Sequence, residues 1–343
     1  MTAPAKPRVL FLYTGGTLGM LRRDPGPLAP SHVAEDVLPY VRGLEAEVDV
    51  EAELLCNLDS SDIGPGHWTA MATAVARRIP EFTGIVILHG TDTMAWSACA
   101  LSYMLRGLDR PVVFTGAQRP IAFVRTDARN NLIHAALCAT MQVPEVGIYF
   151  GRRLYRGNRA TKISIQSYEA FESPTFRPLV EMGVAIRHTG NPLPPGESGL
   201  RVTGGFESRV VVLQVVPGAG PAILDAAVQT GARGVVIRGF GAGNVPQDLW
   251  PGSIRRATEA GVSIVLHSQC LRGVVDLGAY EGGRAAMEAG AVGTGAMTLE
   301  AATVKLMWLL GQGMGGGALR DAFRVDVAGE GSAETGETAG ERE

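Results

Sequence analysis

Short apolar runs alternate with helix-like patterns over the first 150 residues, and two of those runs end in turns that carry threonine. The first is Arg8-Val9-Leu10-Phe11-Leu12-Tyr13, followed by Thr14-Gly15-Gly16-Thr17. The second is Gly84-Ile85-Val86-Ile87-Leu88, followed by His89-Gly90-Thr91-Asp92-Thr93. Both are short and apolar, as strands buried on two faces of a parallel sheet are. Further strand-like runs lie at 111–115 and 145–150, with helical patterns at 67–78, 93–106 and 127–141. This order predicts an α/β fold whose larger N-terminal domain is a doubly wound, mostly parallel sheet with helices on both faces.

The stretch Thr189-Gly190-Asn191-Pro192-Leu193-Pro194-Pro195-Gly196-Glu197-Ser198 reads as a linker. After it, strands at 210–216, 234–238 and 262–266 and a last strong helix at 299–310 predict a smaller C-terminal α/β domain. The expected division is an N-terminal domain over 1–188, a linker over 189–208, a C-terminal domain over 209–327 and a tail over 328–343. The tail is rich in Gly, Glu, Thr and Ala. With little apolar area to offset its ordering entropy, it is expected to be disordered.

Composition removes several function classes. The chain has 343 residues and a formal net charge of −3, which leaves no electrostatic footprint for nucleic acid. No apolar run approaches the roughly 18 residues of a spanning helix. The apolar run near the N-terminus is too short for a secretory signal, so a cytoplasmic protein without membrane partners is expected. Cys56, Cys99, Cys138 and Cys270 are far apart in sequence and form no Cys-x-x-Cys pair, in keeping with reduced thiols. The six histidines show no metal-ligand spacing, and neither a metal nor a cofactor is expected.

The chemistry is concentrated at the two threonine turns. A hydroxyl at the C-terminal end of a parallel strand faces the crevice where α/β folds bind ligands. Gly15 and Gly16 permit a tight turn and a close approach of a ligand to the backbone. Asp92 falls just before a helical pattern, where free N–H groups favour a carboxylate. Taken singly, Thr-Gly-Gly-Thr is an ordinary tight turn and His-Gly-Thr-Asp-Thr an ordinary helix start. Taken together, two hydroxyls with an aspartate beside one suggest nucleophilic chemistry without Ser, Cys or metal.

The runs Tyr13-Thr14-Gly15-Gly16-Thr17-Leu18-Gly19-Met20 and Leu88-His89-Gly90-Thr91-Asp92-Thr93-Met94 are joined by Leu58-Asp59-Ser60-Ser61-Asp62 and Phe114-Thr115-Gly116-Ala117-Gln118-Arg119-Pro120. Further on come Tyr155-Arg156-Gly157-Asn158-Arg159-Ala160-Thr161-Lys162, Gly239-Phe240-Gly241-Ala242-Gly243-Asn244, Ser268-Gln269-Cys270 and Met297-Thr298-Leu299-Glu300-Ala301. In this order, over roughly residues 8 to 326, the chain resembles the bacterial-type L-asparaginases and is most similar to their cytoplasmic type I branch.

The resemblance implies hydrolysis of L-asparagine to L-aspartate and ammonia through an acyl-enzyme ester on Thr17. It implies a relay of Thr91, Lys162 and Asp92. To take a proton from Thr91, Lys162 must be neutral. Burial or a neighbouring cation favours that state, and the Asp92 carboxylate opposes it. Asp92 has a second implied duty, binding the substrate ammonium. Asp59, Ser60 and Ser61 would hold the α-carboxylate and α-ammonium, although on residue types alone they read as a solvated turn. The backbone of Ala117 would accept from the leaving amide. Asn244 would reach the site of a neighbouring subunit in a homodimer or homotetramer. A second, regulatory asparagine pocket is implied around Thr161, Arg238, Asn244 and Cys270.

One position departs from the family pattern. Pro27 stands where family members carry a Tyr in the loop after the first signature, and proline has no hydroxyl to relay a proton. That departure keeps a non-catalytic amino-acid-binding protein as an alternative. A glutaminase-type enzyme is another, because one methylene is worth only about 1–3 kcal/mol in a pocket. A subunit that feeds ammonia to an aminoacyl-tRNA ranks lower, since such relatives carry an extra N-terminal domain and only 13 residues precede Thr14.

Overall fold

The computed structural model describes residues 5–22, 28–30 and 37–331. Eight strands form the large sheet: β1 (Arg8–Gly15), β2 (Asp49–Leu58), β3 (Gly84–Leu88), β4 (Val112–Thr115), β5 (Val146–Phe150), β6 (Arg153–Arg156), β7 (Val180–Met182) and β8 (Ile186–His188). Their spatial order is β8-β7-β6-β5-β4-β3-β1-β2. The five strands from β5 to β2 run parallel, and β6, β7 and β8 add antiparallel pairs at one edge. The expected mostly parallel sheet is therefore present.

Period-two burial explains why the strand runs are apolar throughout. Leu10, Leu12, Ile85 and Ile87 enter one core, with helices α1 (Pro65–Arg78) and α2 (Met94–Met104). Val9, Phe11, Tyr13, Val86 and Leu88 enter a second core on the opposite face, with α3 (Ala128–Cys138). Alternate residues thus bury against different helices, and both faces are sealed.

The smaller sheet has four parallel strands in sequence order: β9 (Val210–Gln214), β10 (Gly234–Gly239), β11 (Ser263–Ser268) and β12 (Val292–Gly293). Its outer face packs on α4 (Ala222–Gln229), α5 (Trp250–Glu259) and α6 (Glu281–Glu288). Val236 and Val265 turn the other way, into the same core as α1 and α2. That shared core also holds α7 (Leu299–Gly311), buried along most of its length. The Thr298 side chain caps α7 by accepting from the Ala301 amide. Tyr103 of α2 donates to the Ala301 carbonyl at 3.1 Å. A helix from the second half of the chain is therefore fastened to the helix that follows the Thr91 turn. A last helix, α8 (Gly316–Arg324), packs Leu319 and Phe323 into the same core.

Two expectations need correction. The helix expected over 93–106 stops at Met104, because Leu105 and Arg106 pair antiparallel with Val202 and Arg201. The linker is by the same contact stitched to the N-terminal domain. The tail was expected to be disordered from Ala328, yet Ala328 is 6% exposed and Glu330 is fully buried. Composition missed it because the segment is held by the Lys305–Glu330 ion pair and by hydrogen bonds from Arg156, Asn158 and Arg159, with only Val327 and Ala328 packed on the core. The rest of that tail from 332 onward, and Pro27 with its loop, lie outside the described residues.

Candidate active site

Four loops converge at the C-terminal ends of β1, β2, β3 and β4, and glycines let them touch. Gly15 has φ +121°, and a Cβ there would sit 2.0 Å from the Leu58 carbonyl oxygen at the end of β2. A Cβ on Gly16 would lie 2.5 Å from the Gly90 Cα, and one on Gly90 would lie 2.6 Å from the Ser60 Cβ. The Thr14–Thr17 turn, the 58–61 loop and the 89–93 turn are thus in backbone contact, which only glycine allows. Thr14 Oγ1 donates to the Leu88 carbonyl at 2.9 Å, and Thr93 Oγ1 to the Ser60 carbonyl at 2.6 Å. The Leu18 carbonyl accepts from the Ile121 amide at 3.1 Å, tying the segment after Thr17 to the loop that follows β4.

Lys162 arrives from outside this sheet, on a two-residue strand, Thr161–Lys162, paired antiparallel with Phe171–Glu172. Its Nζ donates to Thr91 Oγ1 at 2.7 Å and to Asp92 Oδ1 at 2.7 Å. The lysine side chain is 15% exposed and that of Asp92 68%. Residues 70 apart in sequence thus form one hydrogen-bonded unit. Thr91 Oγ1 in turn donates to Gln118 Oε1 at 3.3 Å, so its oxygen accepts from lysine while its proton points to Gln118.

Gln118 was not singled out by sequence reasoning. Its side chain donates to the Ser164 and Ser167 carbonyls at 3.1 and 3.2 Å, bridging the β4 loop to the segment after Lys162. Asp127 accepts from the Gln118 and Arg119 amides at 2.9 and 3.1 Å, and burial raises its carboxyl pKa. Gln118 lies in the Phe114–Pro120 run, but its side chain takes its role from Thr91, Ser164 and Ser167, which are distant in sequence, whereas Asp127 belongs to the same loop as the two amides it accepts from.

His89 was likewise missed as more than part of a motif. It is buried, and its Nδ1–H donates to the Gly90 carbonyl at 2.7 Å, so Nε2 accepts from Ser97 Oγ at 2.9 Å. Ser97 accepts from Trp68 Nε1 at 3.0 Å, and a directed chain runs from α1 to the peptide before Thr91. Burial lowers the His89 pKa to about 4, and that of His267 likewise to about 4. The unfolded chain takes up these protons near pH 6.5 and the folded chain only near 4. Between those values the unfolded state binds more protons, so stability falls as pH drops from about 7 to 4. Each histidine contributes a slope of at most about 1.4 kcal/mol per pH unit. Urea titrations across this window should show a shallower loss for His267→Gln than for the wild type. Equal slopes would remove His267 from the account.

The remaining candidates are placed as follows. Asp59 Oδ1 accepts from the Ser61 amide at 2.8 Å and Ser61 Oγ at 2.7 Å, and these bonds lower its pKa. The turn expected on residue types is therefore present, beside the Gly90 backbone. Ser60 and Ala117 are buried. Asn244 is not joined to this cluster by a hydrogen bond. It bridges to Phe240, and its Oδ1 is buried with no hydrogen-bond partner among the described residues. Thr161, Arg238 and Cys270 line a separate cavity of about 160 Å³ together with His267 and Glu300. Among the described residues no group of three His, Cys, Asp or Glu could hold a metal ion, and no helix is long and apolar enough to cross a membrane.

The family model for "Asparaginase, N-terminal" matches residues 8–193, and that for "Glutaminase/Asparaginase C-terminal domain" matches residues 209–323. The chain is 35% identical to L-asparaginase 1 of Escherichia coli over 331 residues, covering 95% of this chain and 98% of that protein. Its fold matches the thermostable L-asparaginase from Thermococcus kodakarensis with a TM-score of 0.89 at 31% identity, covering 95% of this chain and 99% of the other. The L-asparaginase I structure from Vibrio cholerae gives a TM-score of 0.85 at 31% identity, with 96% and 100% covered.

Proposed function

The chain belongs to the asparaginase family, and on that premise we propose that it hydrolyses L-asparagine to L-aspartate and ammonia. The observation that carries the reading is Lys162 Nζ held 2.7 Å from both the Thr91 hydroxyl and the Asp92 carboxylate, next to the Gly16–Gly90 contact that brings the Thr17 turn alongside. Thr17 attacks the side-chain carboxamide carbon of asparagine, and its proton is passed to the relay. The C–N bond breaks, ammonia leaves with a proton, and aspartate remains as an ester on Thr17. Water then attacks the ester and gives a proton to Thr91 and Lys162, the bond between the acyl carbon and Thr17 Oγ1 breaks, the relay returns a proton to Thr17, and aspartate is released.

The relay needs two hydrogen-bond arrangements. In the one observed, Lys162 donates to both partners. In the other, Thr91 turns its proton from Gln118 towards a neutral Lys162. The Asp92 carboxylate favours the first, and a bound substrate ammonium near Asp92 weakens that preference. Asp59, Ser60 and Ser61 hold the amino-acid end of the substrate, and the Ala117 carbonyl accepts from the leaving amide. Ammonia release from purified protein with L-asparagine and with L-glutamine tests this directly. Binding of asparagine without turnover would instead support the amino-acid-binding alternative.

Two further parts of the reading concern assembly and control. The reading of Asn244 as a residue that reaches a neighbouring subunit's site rests on the family resemblance, since its Oδ1 is buried within its own chain beside Gly282. The protein is accordingly expected to be a cytoplasmic homodimer or homotetramer, and light scattering that found an active monomer would contradict this. The cavity lined by Thr161, Arg238 and Cys270 pairs a guanidinium with the buried Glu300 carboxyl, suited to the carboxylate and ammonium of a free amino acid. Arg238 Nε has no hydrogen-bond partner among the described residues. Thr161 Oγ1 donates to Glu300 at 2.6 Å and is the chain neighbour of Lys162, so an amino acid there has a short path to the relay. Sigmoidal velocity against asparagine, made hyperbolic by Arg238→Ala, is expected. A hyperbolic wild-type curve with an unaltered variant would remove the regulatory pocket.

A further inference from the structure

Lys162 sits on a strand of two residues, and a pair of such strands has little stability of its own. Something else must hold the lysine against Thr91 and Asp92. The segment 325–330 supplies it. Lys305, on α7, donates from Nζ to Glu330 Oε1 at 2.5 Å and to the Val325 carbonyl at 2.6 Å, with both charged side chains fully buried. The Glu330 carboxylate also accepts from the amides of Val327 at 3.0 Å and Ala328 at 2.7 Å, closing the segment on itself. Its outward carbonyls are then taken up by one stretch of chain. Asn158 Nδ2 donates to the Ala328 carbonyl at 2.9 Å, Arg156 to that of Gly329 at 3.4 Å, and the Arg159 guanidinium to that of Glu330. Those three residues form the turn that leads, through Ala160, into Thr161 and Lys162. On the far side, Thr161 is bonded to Glu300 of the same helix α7.

We propose that segment 325–330 is a strap that positions Lys162 for proton transfer, and that Glu330 is the positioning residue that shapes it. The proposal rests on the reading of Lys162 as the relay base. A buried ion pair is costly to form and costlier to break on one side, so it holds the segment it closes in one arrangement. That property suits a clamp on a catalytic side chain more than a general contribution to stability. Glu330 touches neither Thr91 nor Asp92, and it acts through the 156–159 turn.

The test uses the full-length protein with Glu330→Gln, Gly329→Ala and Lys162→Met. Gly329 has φ +80°, and a Cβ there would lie 2.5 Å from the Arg156 guanidinium, so Gly329→Ala displaces the strap and leaves the Lys305–Glu330 pair chemically intact, while pressing on the Arg156 side chain that is bonded to Glu145. Well below the Tm of each variant, kcat for asparagine should fall roughly 10- to 100-fold in Glu330→Gln and Gly329→Ala. KM should change by less than about twofold, because the substrate-binding loops are untouched. Amide hydrogen exchange at 160–163 should quicken in both. If Glu330→Gln does not fold, Gly329→Ala decides by the same measures. A lowered Tm with kcat within about twofold of wild type would make the strap merely structural and overturn the proposal. Lys162→Met should be inactive. If it is inactive while the strap variants keep full kcat, the relay stands and the strap fails, whereas turnover by Lys162→Met would overturn both.

Discussion

Thr17→Ala and Thr91→Val are each expected to lower kcat for asparagine by at least about 10³-fold while leaving the fold intact. Thr17 stands at the start of a single 3₁₀ turn after β1, half-buried, so removing its hydroxyl takes little from the core. Thr91→Val is nearly isosteric. It removes the oxygen that accepts from Lys162 and the proton that reaches Gln118. A lost polar partner in a partly buried site costs about 1–3 kcal/mol of stability, which a chain of this size can bear. Groups that act in one relay are not additive, so the double variant should be little worse than either single one. Circular dichroism establishes the fold and ammonia release the activity. Near wild-type turnover by Thr17→Ala would take the nucleophile's role from that residue.

The largest stability effect is expected at Glu145, away from the relay. Its carboxylate grips Arg156 through Nε at 2.5 Å and Nη2 at 3.2 Å, with both side chains at most 4% exposed, and it accepts from the Leu193 amide at 2.9 Å. Arg156 also donates to the Asn191 carbonyl at 2.9 Å. One pair therefore ties β5, β6 and the linker together. Glu145→Ala leaves a buried guanidinium uncompensated and should cost about 3–5 kcal/mol. Glu207→Ala removes the partner of the exposed Arg209, and should cost no more than about 1 kcal/mol. The midpoints of urea denaturation compare the two. Similar midpoints for both variants would mean that burial of the Glu145 pair does not matter as described.

Sequence made the central strands and their crevice legible because each strand is buried on both faces, which writes an unbroken apolar run. The edge strand β2 was not legible. Its exposed face carries Glu51 and Glu53, which pair with Arg8, Arg77 and Arg78, so it lacks the unbroken apolar run of the central strands and carries the alternation of a half-buried edge strand instead. The threonine turns could be found because they lie next to their strands. The roles of the Gln118 side chain and of the Trp68–Ser97–His89 chain could not, since they lie in contacts with elements distant in sequence. The last part of the 325–330 strap was hidden for a related reason: residues 328–330 share the composition of the tail that follows, and their anchors, Lys305, Asn158, Arg156 and Arg159, are distant in sequence.

Acid quenching during steady-state turnover of L-asparagine, followed by mass spectrometry of proteolytic peptides, tests covalent threonine catalysis most directly. An aspartyl ester should appear on the peptide that contains Thr17, and it should vanish in Thr17→Ala. An ester on the Thr91 peptide instead, or rapid turnover with no ester on either peptide, would contradict the mechanism.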